Sequence, residues 1–188
     1  MRDATVETFE FEAQSGLTTR RKILTAGLGL GAVALAGSPA MAAARIVPMP
    51  GNYPQGTIII SLRQRQLFLT TGEGRAISYP VAVGMSGRAW AGWARVDGKH
   101  VNPAWMPPAV VRAHVRGLPQ VIPGGAPNNP MGPRALTLDR HEIAIHGTTR
   151  SMRASIGRAA SFGCIRMYNE DIVDLFDRVS VGTAVLAV

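Results

Sequence analysis

A single cysteine, Cys164, stands among 188 residues. That excludes an internal disulfide and leaves too few sulfur ligands for a cysteine-based zinc cluster. The four histidines, His100, His114, His141 and His146, form neither an HxH nor an HExxH pattern, so no metal site and no other cofactor is expected. Aromatic residues make up only 6% of the chain. With no aromatic-rich ribonucleoprotein motif and no Lys/Arg run beyond residue 22, nucleic acid is disfavoured as a partner. Internal repeats and low-complexity linkers are absent too, and the length suits one core. The apolar run Ile23–Gly37 is about fifteen residues long, short of the roughly twenty that a membrane span needs.

What is present is basic and partly apolar. Hydrophobic residues account for 46%, enough to build a sizeable core, and the formal charge is +8. Residues 1–43 hold four basic and four acidic side chains, so the excess lies beyond them, on fifteen Arg and one Lys, Lys99. Guanidinium groups suit a partner rich in carboxylate or phosphate, such as an envelope polymer; a coding preference for arginine explains the bias equally well.

The segment Thr19-Arg20-Arg21-Lys22-Ile23-Leu24, the weakly apolar run after it and Ser38-Pro39-Ala40-Met41-Ala42 read as a twin-arginine export signal with an A-x-A cleavage site. Residues 1–44 are therefore expected to be a signal peptide and residues 45–188 the mature domain. The expected destination is the periplasm, with the membrane met only during export. A free thiol sent to an oxidising compartment is either a nucleophile or a buried, inert side chain.

Short β-rich runs at Thr57–Ser61, Gln66–Thr70 and Ala76–Val83 predict three antiparallel strands; Arg134–Leu138, Glu142–His146 and Thr183–Val188 add three more. One segment has a helical period: Ile172, Leu175, Phe176 and Val179 recur at three- and four-residue steps, with Asn169 as the expected cap. A mostly β domain follows, a sandwich or barrel with one main helix laid against it. Eight prolines between residues 103 and 133 forbid a long regular element there and predict a stiff set of loops.

A thiol becomes nucleophilic when ionised by an imidazole, a cation or a helix N-terminus. Cys164 has Arg166 two residues on, the expected helix start at Asn169, and His146 at a strand end before Gly147. His146 is the expected activator, because Glu170 and Asp171 offset the helix dipole. Gly163 permits a tight turn and supplies a backbone N–H suited to an oxyanion hole.

Ile145-His146-Gly147-Thr148 followed by Ser161-Phe162-Gly163-Cys164-Ile165-Arg166, with eighteen positions from His146 to Cys164, resembles the signature of L,D-transpeptidases, the YkuD or ErfK/YbiS family. Ile122-Pro-Gly-Gly125, Asn129-Pro-Met-Gly132 and Pro103-Ala-Trp-Met-Pro-Pro108 are similar to family blocks as well, and the resemblance runs from about Thr57 to Val188. It implies a catalytic domain of that fold over residues 45–188 whose substrates and partners are peptidoglycan stem peptides. It implies Cys164 as nucleophile, His146 as proton donor and acceptor, and the Gly147 carbonyl as the group orienting His146. Ser161 is placed near the thiolate, on the substrate-binding side. Arg166 either anchors a substrate carboxylate or makes an internal ion pair. Two blocks depart from the family: Phe162 stands where most members have histidine, and Ala89-Trp90-Ala91-Gly92-Trp93 replaces a Thr-Pro-x-Gly turn. An L,D-carboxypeptidase using water as acceptor and a silent wall-binding module remain as alternatives.

Overall fold

The computed structural model describes residues 45–188; the leader expected over residues 1–44 lies outside them. The strands are β1 (Arg45–Pro48), β2 (Ile58–Ser61), β3 (Gln66–Gly72), β4 (Arg75–Gly84), β5 (Gly92–Val101), β6 (Arg134–Leu138), β7 (Ala144–His146), β8 (Ala159–Ser161), β9 (Ile165–Met167) and β10 (Ala184–Ala187). Two α-helices accompany them, α1 (Ala109–His114) and α2 (Asn169–Arg178).

The strands run in the order β4-β3-β2-β10-β5-β6-β7-β9, and β9 pairs back onto β4. The sheet therefore closes into a barrel-like ring. Long β4 makes closure possible: β3 pairs along one edge, while β1, β9 and β8 follow one another along the other. Three parallel contacts, β2 with β10, β7 with β9 and β4 with β8, sit among antiparallel ones. Ile58, Leu67, Tyr79, Val81, Leu136, Ile145, Ile165 and Met167 fill the core. Helix α2 adds Ile172 and Leu175 from one face, packed toward β6 and β7. Each such side chain contributes about 2 kcal/mol by leaving water.

The mostly β fold with one main helix is the one expected, and it is a barrel rather than a sandwich. Local bounds differ for physical reasons. The strand expected from Glu142 begins only at Ala144, because Glu142 has φ 57° and Ile143 closes a turn onto the Arg140 carbonyl. Tyr168, not Asn169, is the α2 cap residue, and no side chain caps that end. The proline-rich stretch admits one short helix, α1, directly after Pro107-Pro108.

Asn129 ties that stretch together. Its Nδ2 donates to the carbonyls of Pro103 (2.8 Å) and Pro123 (2.9 Å), and its Oδ1 accepts from the Met131 N–H. Proline carbonyls, which no neighbouring strand would satisfy, are thus bonded internally.

Candidate active site

Strands β7 and β9 lie side by side and parallel, with Ile145 opposite Ile165 and His146 opposite Arg166. Alternation along a strand puts Cys164, one residue before β9, on the face that carries Arg166 and His146. Short parallel strands thus bring together groups eighteen residues apart in the chain.

His146 is buried. Its Nδ1 lies 2.8 Å from the Gly147 carbonyl and 3.1 Å from that of Pro130. Both partners can only accept, so Nδ1 carries the hydrogen and Nε2 of the neutral ring holds the lone pair. Burial, and then the Arg166 charge, lower its pKa to about 4. A Cβ on Gly147 would sit 2.5 Å from Asn169 Oδ1 and 3.1 Å from the Gly132 Cα, so only glycine admits the approach of these segments.

Cys164 is half-buried, and its Sγ is 3.5 Å from the Glu142 carbonyl. Burial pushes the thiol above its ordinary value; the Ala144 backbone and Arg166 oppose this without reversing it. This direction runs against a pre-formed thiolate. Both shifts favour the neutral forms, thiol and imidazole.

The turn that presents Cys164 is pinned on several sides. Gly163 has φ 133°, and a Cβ there would lie 2.8 Å from Ile143 Cδ1, so no other residue fits without displacement. Its N–H donates to Ser161 Oγ at 3.1 Å, and its carbonyl accepts from Trp90 Nε1, also at 3.1 Å. Ser161 Oγ in turn donates to the Cys164 carbonyl. Two expectations change accordingly. The Gly163 N–H is engaged internally and not free for an oxyanion, and Ser161, 1% exposed, holds the turn instead of facing a substrate. Among the described residues no acceptor takes the Cys164 N–H.

Arg166 is 8% exposed and bonds Ser155 Oγ through Nη1 at 2.8 Å, while its Nε has no partner. No carboxylate pairs with it among the described residues, so the internal ion pair is not formed there. Phe162 lies against His114 of α1, ring centres 5.1 Å apart, which brings the proline-rich loops over this turn. No group of three or more His, Cys, Asp or Glu side chains among the described residues is arranged to hold a metal.

Sequence reasoning missed Trp90, Pro130, Ser155 and Asn169. Pro130 acts through its carbonyl and Ser155 through one hydroxyl, while Trp90 and Asn169 each bond a distant backbone group with a side-chain atom; only the bulky Trp90 in a departing block offered a signal.

A closed β-barrel with a thiol, an imidazole and a guanidinium on one face of two parallel strands defines the class of fold and site. Residues 55–186 match the family model described as the L,D-transpeptidase catalytic domain, YkuD. The chain belongs to that family. It is 34% identical over 186 residues to the probable L,D-transpeptidase YbiS of Escherichia coli K12, covering 96% of this chain and 58% of that one. It is 35% identical over 143 residues to the probable L,D-transpeptidase ErfK/SrfK of Salmonella typhimurium, covering 73% and 45%. The chain thus spans about half the length of these curated relatives. A solved L,D-transpeptidase from Mycobacterium smegmatis shares the fold with a TM-score of 0.57 at 14% identity, over 71% of this chain and 58% of that one.

Proposed function

We propose that the protein is a periplasmic L,D-transpeptidase that acts on peptidoglycan stem peptides through a Cys164 thioester. The observation that carries this reading is the fixed tautomer of His146: with Nδ1–H held by the Gly147 and Pro130 carbonyls, Nε2 is the basic atom on the face shared with Cys164.

In the proposed reaction His146 Nε2 takes the thiol proton as Sγ attacks the carbonyl of the third stem residue. The oxyanion is received by the Cys164 N–H, in place of the Gly163 N–H already engaged by Ser161. The tetrahedral intermediate collapses, the C–N bond breaks, and His146 returns the proton to the departing D-alanine amine. The stem is then held as a thioester. An amine from a second stem attacks it, His146 takes that amine's proton, the sulfur leaves and recovers a proton, and a 3→3 cross-link results. Arg166, without a carboxylate partner of its own, anchors a carboxylate of the stem.

Mass spectrometry of the purified protein with disaccharide tetrapeptide tests the reading. Acyl-enzyme, free D-alanine and cross-linked dimers are expected; tripeptide without dimers would replace transfer by hydrolysis. A protein that never acylates would be the wall-binding module instead. Export follows the same logic: replacing Arg20 and Arg21 by Lys should leave the precursor unprocessed in the cytoplasm, and normal processing would overturn the twin-arginine assignment.

A further inference from the structure

The indole of Trp90 is 9% exposed, and its Nε1–H donates to the Gly163 carbonyl at 3.1 Å across 73 residues of chain. The Arg140 guanidinium covers the ring at 4.6 Å from its centre. This bond reaches beyond Gly163. The Gly163 carbonyl and the Cys164 N–H belong to one planar trans peptide unit and point in opposite directions. Whatever fixes the carbonyl therefore fixes the N–H. That N–H has no acceptor among the described residues, whereas the neighbouring Gly163 N–H is engaged by Ser161.

We propose that Trp90 is a positioning residue for acyl transfer: by holding the Gly163 carbonyl it aims the Cys164 N–H at the oxyanion that forms when Cys164 attacks. Gly163 makes such a brace necessary. With φ 133° and no side chain, its peptide has no intrinsic preference that would hold the following N–H in one direction. Ser161 secures the near side of the turn through Gly163 N–H and the Cys164 carbonyl, and neither bond touches the peptide unit between those two atoms. Trp90 supplies the bond that does.

The inference rests on the acyl-transfer reading above, and its test separates the two. Acylation of Cys164 builds negative charge on an oxygen; alkylation by iodoacetamide displaces iodide and builds none, while using the same sulfur. Both rates are measured at one pH on the intact protein, the first with disaccharide tetrapeptide. Trp90→Phe should slow acylation by about 10-fold or more while leaving alkylation within about 2-fold, because loss of an oxyanion donor is felt only in the charged transition state. Should Trp90→Phe fold poorly, a tryptophan analogue with benzothiophene in place of indole keeps the shape and removes the donor, and the same split is expected. Equal slowing of both reactions would make Trp90 a packing residue and overturn the proposal, as would unchanged acylation. If the unaltered protein alkylates but never acylates, the transpeptidase reading itself fails and takes this inference with it.

Discussion

Asn169 Oδ1 accepts the backbone N–H of Thr148 at 2.7 Å, so the first residue of α2 holds the chain two residues beyond His146. A side chain placed to cap its own helix is used on another segment instead, and the helix start becomes a support for the Gly147 carbonyl. Asn169→Ala is expected to lower stability by about 1 kcal/mol and to reduce kcat more than it raises KM, because the buried Thr148 N–H loses its acceptor and His146 its fixed orientation. Steady-state kinetics with a stem peptide check this; a change in KM alone would place Asn169 in substrate binding.

Lys99 does for the other end of α2 what a glycine cap does in many helices. Its Nζ donates to the Phe176 and Val179 carbonyls, both at 2.6 Å, and sits 4.3 Å from the centre of the Phe176 ring. Lys99→Met should lower unfolding free energy by about 2 kcal/mol in urea, since charge-assisted bonds to terminal carbonyls are lost. Acylation per folded molecule should stay the same. A silent substitution would mean that water replaces the ammonium without cost.

Acid–base behaviour follows from the neutral pair. With the His146 pKa lowered to about 4, the base remains unprotonated throughout the neutral range, and the acid limb of kcat/KM should have its midpoint near pH 4. The thiol is pushed up, so alkylation of Cys164 against pH should have its midpoint above that of an ordinary thiol. An acid limb near 6.5 with a thiol midpoint well below that of an ordinary thiol would restore the pre-formed ion pair.

Asp171 and His146 couple stability to pH with opposite signs. Burial first, then the carboxylates of Glu170 and Asp174, raise Asp171 to about 7 from 3.8. Its protonated form is the favoured one, so that contribution is complete below about pH 4 and lost as pH rises through 7. His146 is lowered from 6.5 to about 4, so its contribution is present above 6.5 and lost as pH falls through 4. The two offset each other between pH 4 and 6.5. Asp171→Asn removes one of them: the variant should gain stability at pH 8 relative to the parent, and lose on the order of 2–3 kcal/mol between pH 7 and pH 4. Parallel pH profiles of the two proteins in urea titrations would refute this.

The period of Ile172, Leu175 and Phe176, the β-branched run Ile58–Ile60 and the alternating pattern of Arg134–Leu138 made the helix and several barrel strands legible, because side-chain burial decides them. β5 escaped notice: its buried residues Ala94 and Val96 are small, and they are interleaved and followed by the charged Arg95, Asp97 and Lys99, which hide the apolar face. β8 and β9 are three residues each, too short for any period. At the site, the Cys164 and His146 motif was readable as side-chain chemistry. The direction of the Gly163 N–H, the role of Ser161 and the raised thiol were not, since each depends on how one turn folds against Trp90, Ile143 and the proline-rich loops.

The placement of β10 between β2 and β5 bears on how the chain is made. Val185 pairs with Ile58 on one side and Ala94 on the other, so the middle of the ring is supplied by residues 184–187. A ribosome releases those residues only after the Cys164 turn and α2 have emerged. Until then neither β2 nor β5 has its β10 partner, and each keeps one border without a strand to pair with. The nascent chain must wait with an open seam, and long-range pairing of this kind is slow to form.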